Sequence, residues 1–217
     1  MCGHFEARLY LHLLQAYIQA DEANGPRITE SRITETARKV APTGVAPVVL
    51  YDSETHTSGV AEARFGLVPF WYRGMIKDWK ASTFNARVED AAEKRAFQGP
   101  WKYRRCIVPA DAFNEWSGPT GRRTKWRVTR ADNQPLAFAG LWDEATCGDG
   151  DVLSFSILTR PAGSDMSAVH TREPVILPPD DWENWMRRGR ADLYAPAPLR
   201  LVEEVPPPKL GETLSLF

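Results

Sequence analysis

The sequence predicts an α+β fold: a single domain of mostly antiparallel, twisted sheets curled towards a barrel, with flanking helices. Three observations predict it. Short β-type runs crowd the middle of the chain, the cleanest being Leu153-Ser154-Phe155-Ser156-Ile157, which alternates apolar and polar residues. Helical periodicity occurs only near the two ends, without regular βαβ alternation. No repeat and no Gly/Pro/Ser-rich linker divides the 217 residues, a length that can bury one substantial core.

The elements follow in order. Tyr10, Leu13, Leu14, Tyr17 and Ile18 share one helical face, so residues 9–20 read as a helix, and Asn24-Gly25-Pro26 ends that region. Val48–Tyr51, Ala63–Val68 and Cys106–Val108 are β runs, the last two closed by Pro69 and Pro109. Trp126–Thr129, Leu136–Trp142 and Leu153–Ile157 continue the strand pattern. Trp182, Trp185 and Met186 stand at helical spacing after Pro178-Pro179-Asp180, which resembles a helix start. Residues 1–190 form the expected domain. Residues 191–217, holding Pro196, Pro198 and Pro206–Pro208, are expected to form an irregular tail.

Composition excludes several classes. Apolar residues make 43% and charged residues 25%, which excludes wholesale disorder. No apolar run approaches the roughly 18 residues that a membrane helix needs, and Met1-Cys2-Gly3-His4-Phe5 has no signal-peptide pattern. Cys2, Cys106 and Cys147 are too scattered for a disulfide framework, so a reducing cytoplasm is expected. There is no Cys-x-x-Cys, no P-loop and no clustering of His4, His12, His56 and His170, so neither cofactor nor metal is expected. A soluble monomer without membrane attachment is the expected state.

The charge is unevenly spread. Residues 72–130 carry 14 Lys+Arg against 6 Asp+Glu, while the whole chain has net charge −1. That asymmetry fits a basic face on an acidic protein, and equally fits solvated strand and loop charges.

Five residue types carry potential chemistry. Removal of Met1 before the small Cys2 would leave an α-amine and a thiol on adjacent carbons, titrating near about 8 and 8.5. Such an aminothiol converts an aldehyde to a Schiff base and closes it to a thiazolidine; otherwise Cys2 is only a small residue at a processed end. Glu115, between Phe113 and Trp116, would be partly desolvated and suited to acid/base work, or is a surface glutamate at a strand end. His170 precedes an apolar run and reads as an acid/base group or a structural histidine. Asn85 can hold an amine or a carbonyl, and Arg87 can grip a phosphate, although turn chemistry also suits Asn85.

The ordered set of motifs is more specific than any one part. The chain reads Met1-Cys2-Gly3, Ala41-Pro42-Thr43, Phe65-Gly66-Leu67-Val68-Pro69-Phe70-Trp71, Asn85-Ala86-Arg87-Val88-Glu89, Arg104 through Trp116, Ala139-Gly140-Leu141-Trp142, Ile157-Leu158-Thr159 and His170-Thr171-Arg172-Glu173-Pro174. It resembles the SOS-response-associated peptidase (SRAP) family, whose members crosslink covalently to abasic sites in single-stranded DNA. The resemblance runs from Met1 to the helix around Trp185.

The resemblance implies roles. Cys2 is the nucleophile that forms a thiazolidine with the ring-opened sugar. Asn85 holds the aminothiol and the linkage, Glu115 moves protons, and His170 is the second acid/base group, used also in reversal. Arg87 and Arg172 match contacts to DNA phosphates; Arg95, Trp116 and Thr159 match further DNA contacts. Trp71 matches an aromatic where bases unstack. The partner implied is single-stranded DNA containing abasic sites, and the family name implies a peptidase activity. This chain departs at His4, usually arginine, at Phe65, usually tryptophan, and at Asn114, usually aromatic. Two other readings use the same residues: an N-terminal-nucleophile amidohydrolase built on Cys2, and a non-covalent single-strand-binding module.

Overall fold

The computed structural model describes residues 3–8, 37–52 and 56–205. Cys2, the helix expected over residues 9–20 and the tail beyond residue 205 lie outside the described residues. Among the described residues, 11 strands join one sheet. They are β1 (His4–Ala7), β2 (Arg38–Val40), β3 (Val45–Asp52), β4 (Thr57–Phe65), β5 (Asn85–Arg87), β6 (Arg105–Ser117), β7 (Thr124–Arg130), β8 (Leu136–Cys147), β9 (Gly150–Pro161), β10 (Arg172–Pro174) and β11 (Leu199–Glu204). No helix among them is long and apolar enough to cross a membrane.

The pairings close a ring: β9 to β4, β4 to β3, β3 to β6, β6 to β8, and β8 back to β9. The ring stops short of a regular barrel, as the α+β expectation of a curled sheet required. All pairings are antiparallel except those of β4 and β5 with β9.

The 2-residue strand period divides the core in two. On β6, Cys106, Val108 and Ala110 join one cluster with Phe5, Phe65, Phe138 and Phe155, and Phe113 rejoins it beyond the register shift opposite Glu6 and Ala7. Ile107, between Cys106 and Val108, joins the other with Leu141, Leu158 and Trp185. Phe5 meets Phe65 edge-on at 5.3 Å, and Phe65 stacks on Phe155 at 5.1 Å, geometries that favour ring quadrupoles. The sheet is tight where β6 and β8 touch: a Cβ on Gly140 would stand 2.6 Å from the Cys106 sulfur. The short helix Trp182–Met186 caps the second cluster, and its Trp185 indole donates to the Cys106 carbonyl at 2.9 Å.

Three local features differ from the sequence reading. The run Ala63–Val68 ends as a strand at Phe65, because Gly66 turns the chain with φ 114°. Gln98–Tyr103 forms a helix that its Gly99-Pro100 pair conceals; proline is tolerated in a first turn. Leu199–Glu204, expected to be irregular, is a strand paired along the whole edge of β7. Its prolines bracket the strand instead of interrupting it, so every residue from Leu199 to Glu204 can pair.

Candidate functional site

The first part of the site is the end of β6. Glu115 follows Phe113 on the same strand face, is 2% exposed, and lies opposite Trp126 of β7. β1 enters beside it: His4 pairs with Asn114, and buried Gly3 precedes His4. β1 is paired along both edges, to β2 on one side and to β6 on the other. Glu6 takes a forked hydrogen-bond pair from Arg127 of β7 at 3.0 and 2.7 Å. That hydrogen bonding, against the opposing effect of burial, lowers the Glu6 pKa. The His4 ring meets half-buried Trp116 edge-on at 5.1 Å. Asn114 is buried at 3% exposure.

The second part is built on β9. Asn85 and Arg87 of β5 alternate with buried Ala86, and pair in parallel with Ile157 and Thr159. The Asn85 side-chain oxygen is buried, whereas Arg87 is exposed and makes no ion pair among the described residues. On β10, Arg172 pairs with Pro161. The Arg172 backbone N–H donates to Nδ1 of His170 at 2.9 Å. A backbone N–H can only donate, so Nδ1 accepts this bond, and in the tautomer that makes it the proton sits on Nε2. Nδ1 also lies 3.0 Å from the Arg172 carbonyl, a contact that Nδ1 could make as a donor only by giving up the first.

Arg172 itself is engaged. Its guanidinium donates to both carboxylate oxygens of Glu89 at 2.5 and 2.8 Å, and to the Thr159 carbonyl at 2.6 Å. The Arg172 hydrogen bond, opposed by burial, holds the Glu89 carboxyl below its usual range. Thr159 is fully buried, with its hydroxyl 3.3 Å from Arg172. Its link to the surface runs through that arginine.

The aromatic and basic residues gather elsewhere. Exposed Arg95 lies over the face of half-buried Trp71, 4.3 Å from its centroid, and Trp71 meets Trp79 at 5.9 Å. A cation over a tryptophan face is an attractive arrangement that leaves the ring edge and the remaining guanidinium protons available.

One core joins the two strand systems. Phe113, two residues before Glu115, belongs to the same apolar cluster as Phe84, which precedes Asn85. Ile157, opposite Asn85, and Met166 and Val169, just before His170, belong to it too. An amide, a carboxyl and an imidazole are thus carried by backbone anchored in one core, and the chain's first described residues lead into it. The sequence reading did not single out Glu89 as the partner of Arg172. It sits 83 positions from Arg172, and no spacing rule links the two.

Comparison with known proteins is consistent with these features. The family model described as "SOS response associated peptidase (SRAP)" matches residues 1–208. The chain is 27% identical over 170 residues to "Abasic site processing protein YMR114C" of Saccharomyces cerevisiae, a match covering 77% of this chain and 44% of that protein. It is 30% identical over 155 residues to "Abasic site processing protein YoqW" of Bacillus subtilis, covering 70% of this chain and 67% of that one. The chain therefore spans less than half of the yeast relative. A crystal structure of a Bordetella bronchiseptica protein superposes with a TM-score of 0.74 at 26% identity, covering 94% of this chain and 100% of that chain.

Proposed function

The chain belongs to the SOS response associated peptidase (SRAP) family, and from that premise we propose that it processes abasic sites in single-stranded DNA by covalent capture through Cys2. The observation that carries this reading is the placement of Glu115. A carboxyl only 2% exposed stands beside the entry of β1, with Asn85 and His170 built on the same core.

The chemistry balances with these groups alone. With Met1 removed, the Cys2 amine adds to the aldehyde carbon of the opened sugar to give a carbinolamine. That intermediate loses water to become a Schiff base, and the thiol adds to the imine carbon as its proton moves to nitrogen. One carbon–nitrogen and one carbon–sulfur bond form, and one water leaves. Loss of water needs an acid, and Glu115 in its buried position supplies a proton to the departing hydroxyl. Asn85 offers an amide that orients the aminothiol. His170 is the second proton carrier and serves the reverse hydrolysis. Arg87 and the Arg95–Trp71 pair face solvent and suit a strand held by phosphate contacts and stacking, without sequence readout. Thr159 supports such a surface by holding Arg172, and Trp116 borders the entry of β1.

Cys2→Ala tests the reading. Incubated with an abasic single-stranded oligonucleotide and run on a denaturing gel, the parent gives a heat-stable adduct and the variant gives none. In a native gel the variant still retards the same oligonucleotide. A heat-stable adduct undiminished in Cys2→Ala overturns the assignment, and turnover of amide substrates without any adduct favours the amidohydrolase.

A further inference from the structure

The loop between Trp71 and β5 builds a cavity to which none of the roles above extends. Its volume is about 550 Å³, within the roughly 300–1,000 Å³ of small-molecule sites. Arg64, Lys77 and Lys80 line it, with Trp79, Phe84 and Ser82 among the other walls, and no carboxylate of the described residues lines it. The one acid of the loop, Asp78, is exposed and lies outside the lining.

Arg64 is the telling residue. It is half-buried on β4, and its Nη1 donates to the Gly66 carbonyl at 2.5 Å. Among the described residues no carboxylate lies within ion-pair distance of it. Burial lowers its pKa, the mark of a cation drawn from water without a counter-charge. The walls are firm as well. The Trp79 indole donates to the Leu67 carbonyl at 3.1 Å and to the Thr83 hydroxyl at 3.2 Å, and Lys80 donates to the Lys77 carbonyl at 2.6 Å.

Position identifies the occupant. Trp79 touches Trp71 at one end, on the aromatic and basic surface, and Phe84 immediately precedes Asn85 at the other. We infer that this cavity receives one nucleotide flanking the abasic residue, with its phosphate on Arg64, Lys77 and Lys80 and its base against Trp79 and Phe84. This rests on the proposed function and names the part of the substrate that the cavity holds. Three cations match a phosphodiester, and flat rings match any base, so binding here is indifferent to sequence.

The test uses oligonucleotides carrying tetrahydrofuran, an abasic analogue with no aldehyde, so that only reversible binding is read. One has nucleotides on both sides of the analogue, one only on the 5′ side, and one only on the 3′ side. For the parent, loss of one particular flank costs about tenfold in affinity, the scale of a charged contact. Lys77→Ala/Lys80→Ala shows that loss already with the complete oligonucleotide and is insensitive to removal of that flank. Its salt dependence is shallower by about 0.7 to 1.4 log units per log unit of salt, one or two phosphates. Arg64→Gln weakens binding of the oligonucleotides that keep that flank and leaves the one that lacks it at the parent's affinity. Equal affinity of parent and double variant for all three overturns the inference. So does a loss of the same size on all three, which marks a general surface charge. A true abasic oligonucleotide run on the parent reports adduct formation separately, so failure of the covalent reading is scored independently.

Discussion

Two arginines on neighbouring strands of the ring have opposite surroundings. Arg160 of β9 is 7% exposed and meets Glu173 of β10, 3% exposed, at 2.5 Å. It also donates to the Tyr194 carbonyl, and Glu173 takes the Gly163 N–H at 2.9 Å. Arg64 of β4 is half-buried in a cationic cavity and has no such partner among the described residues. The first region has every charge answered from within the chain, so it braces the turn that carries His170. The second has charge left over, so it is suited to a partner from outside. Charge content alone does not separate scaffold from site; the degree of internal satisfaction does.

The largest expected effect breaks the closed region. Glu173→Ala leaves Arg160 buried and unpaired, and costs about 3–5 kcal/mol of stability. Denaturant unfolding with an unchanged m-value reads it directly. A loss under about 1 kcal/mol would show that water reaches Arg160, and the contrast between the two regions would collapse.

A smaller effect sharpens the open side. Arg87 is exposed with no ion pair among the described residues, so Arg87→Ala should leave the melting temperature where it is. The variant should flatten the salt dependence of single-strand binding by roughly 0.7, one phosphate. An unchanged slope assigns Arg87 to something other than the strand.

The smallest effect concerns Glu89, which stands between the two cases, 40% exposed and paired with Arg172 at 2.5 Å. Its lowered carboxyl pKa comes mainly from that hydrogen bond. Its stabilisation is therefore complete above the unfolded value, near about 4.3, and is lost as pH falls through the folded one. Solvent screening limits it to at most about 1 kcal/mol. Glu89→Gln should make the acid side of the stability–pH curve shallower by that amount; an unaltered acid side means that the pair is worth nothing to folding.

Much of the sheet was legible beforehand. Alternation marked β7, β8 and β9, and extended them too little, because polar strand ends such as Asp143–Cys147 look like loop in a sequence window. β11 was hidden by its flanking prolines. The helix at Gln98 was hidden by Gly99-Pro100. Glu115, expected to be partly desolvated, is buried, and Arg95 and Trp71, named separately, stand together. Two expected strand contacts look different in place. Arg172 is already occupied by Glu89, and Thr159 is beneath it.

By itself the sequence determined one predominantly β domain and its available chemistry: an amide, a carboxyl, an imidazole and a basic central stretch. These are local properties, since side-chain alternation and functional groups are written residue by residue. The tertiary structure decided which of those groups are satisfied. It placed β5 parallel to β9, brought Glu89 to Arg172 and Glu173 to Arg160, and left Arg64 facing Lys77 and Lys80. Such pairings follow from register, and register follows from which faces of distant strands must be buried together. That is a property of the assembled sheet, absent from any single stretch of chain.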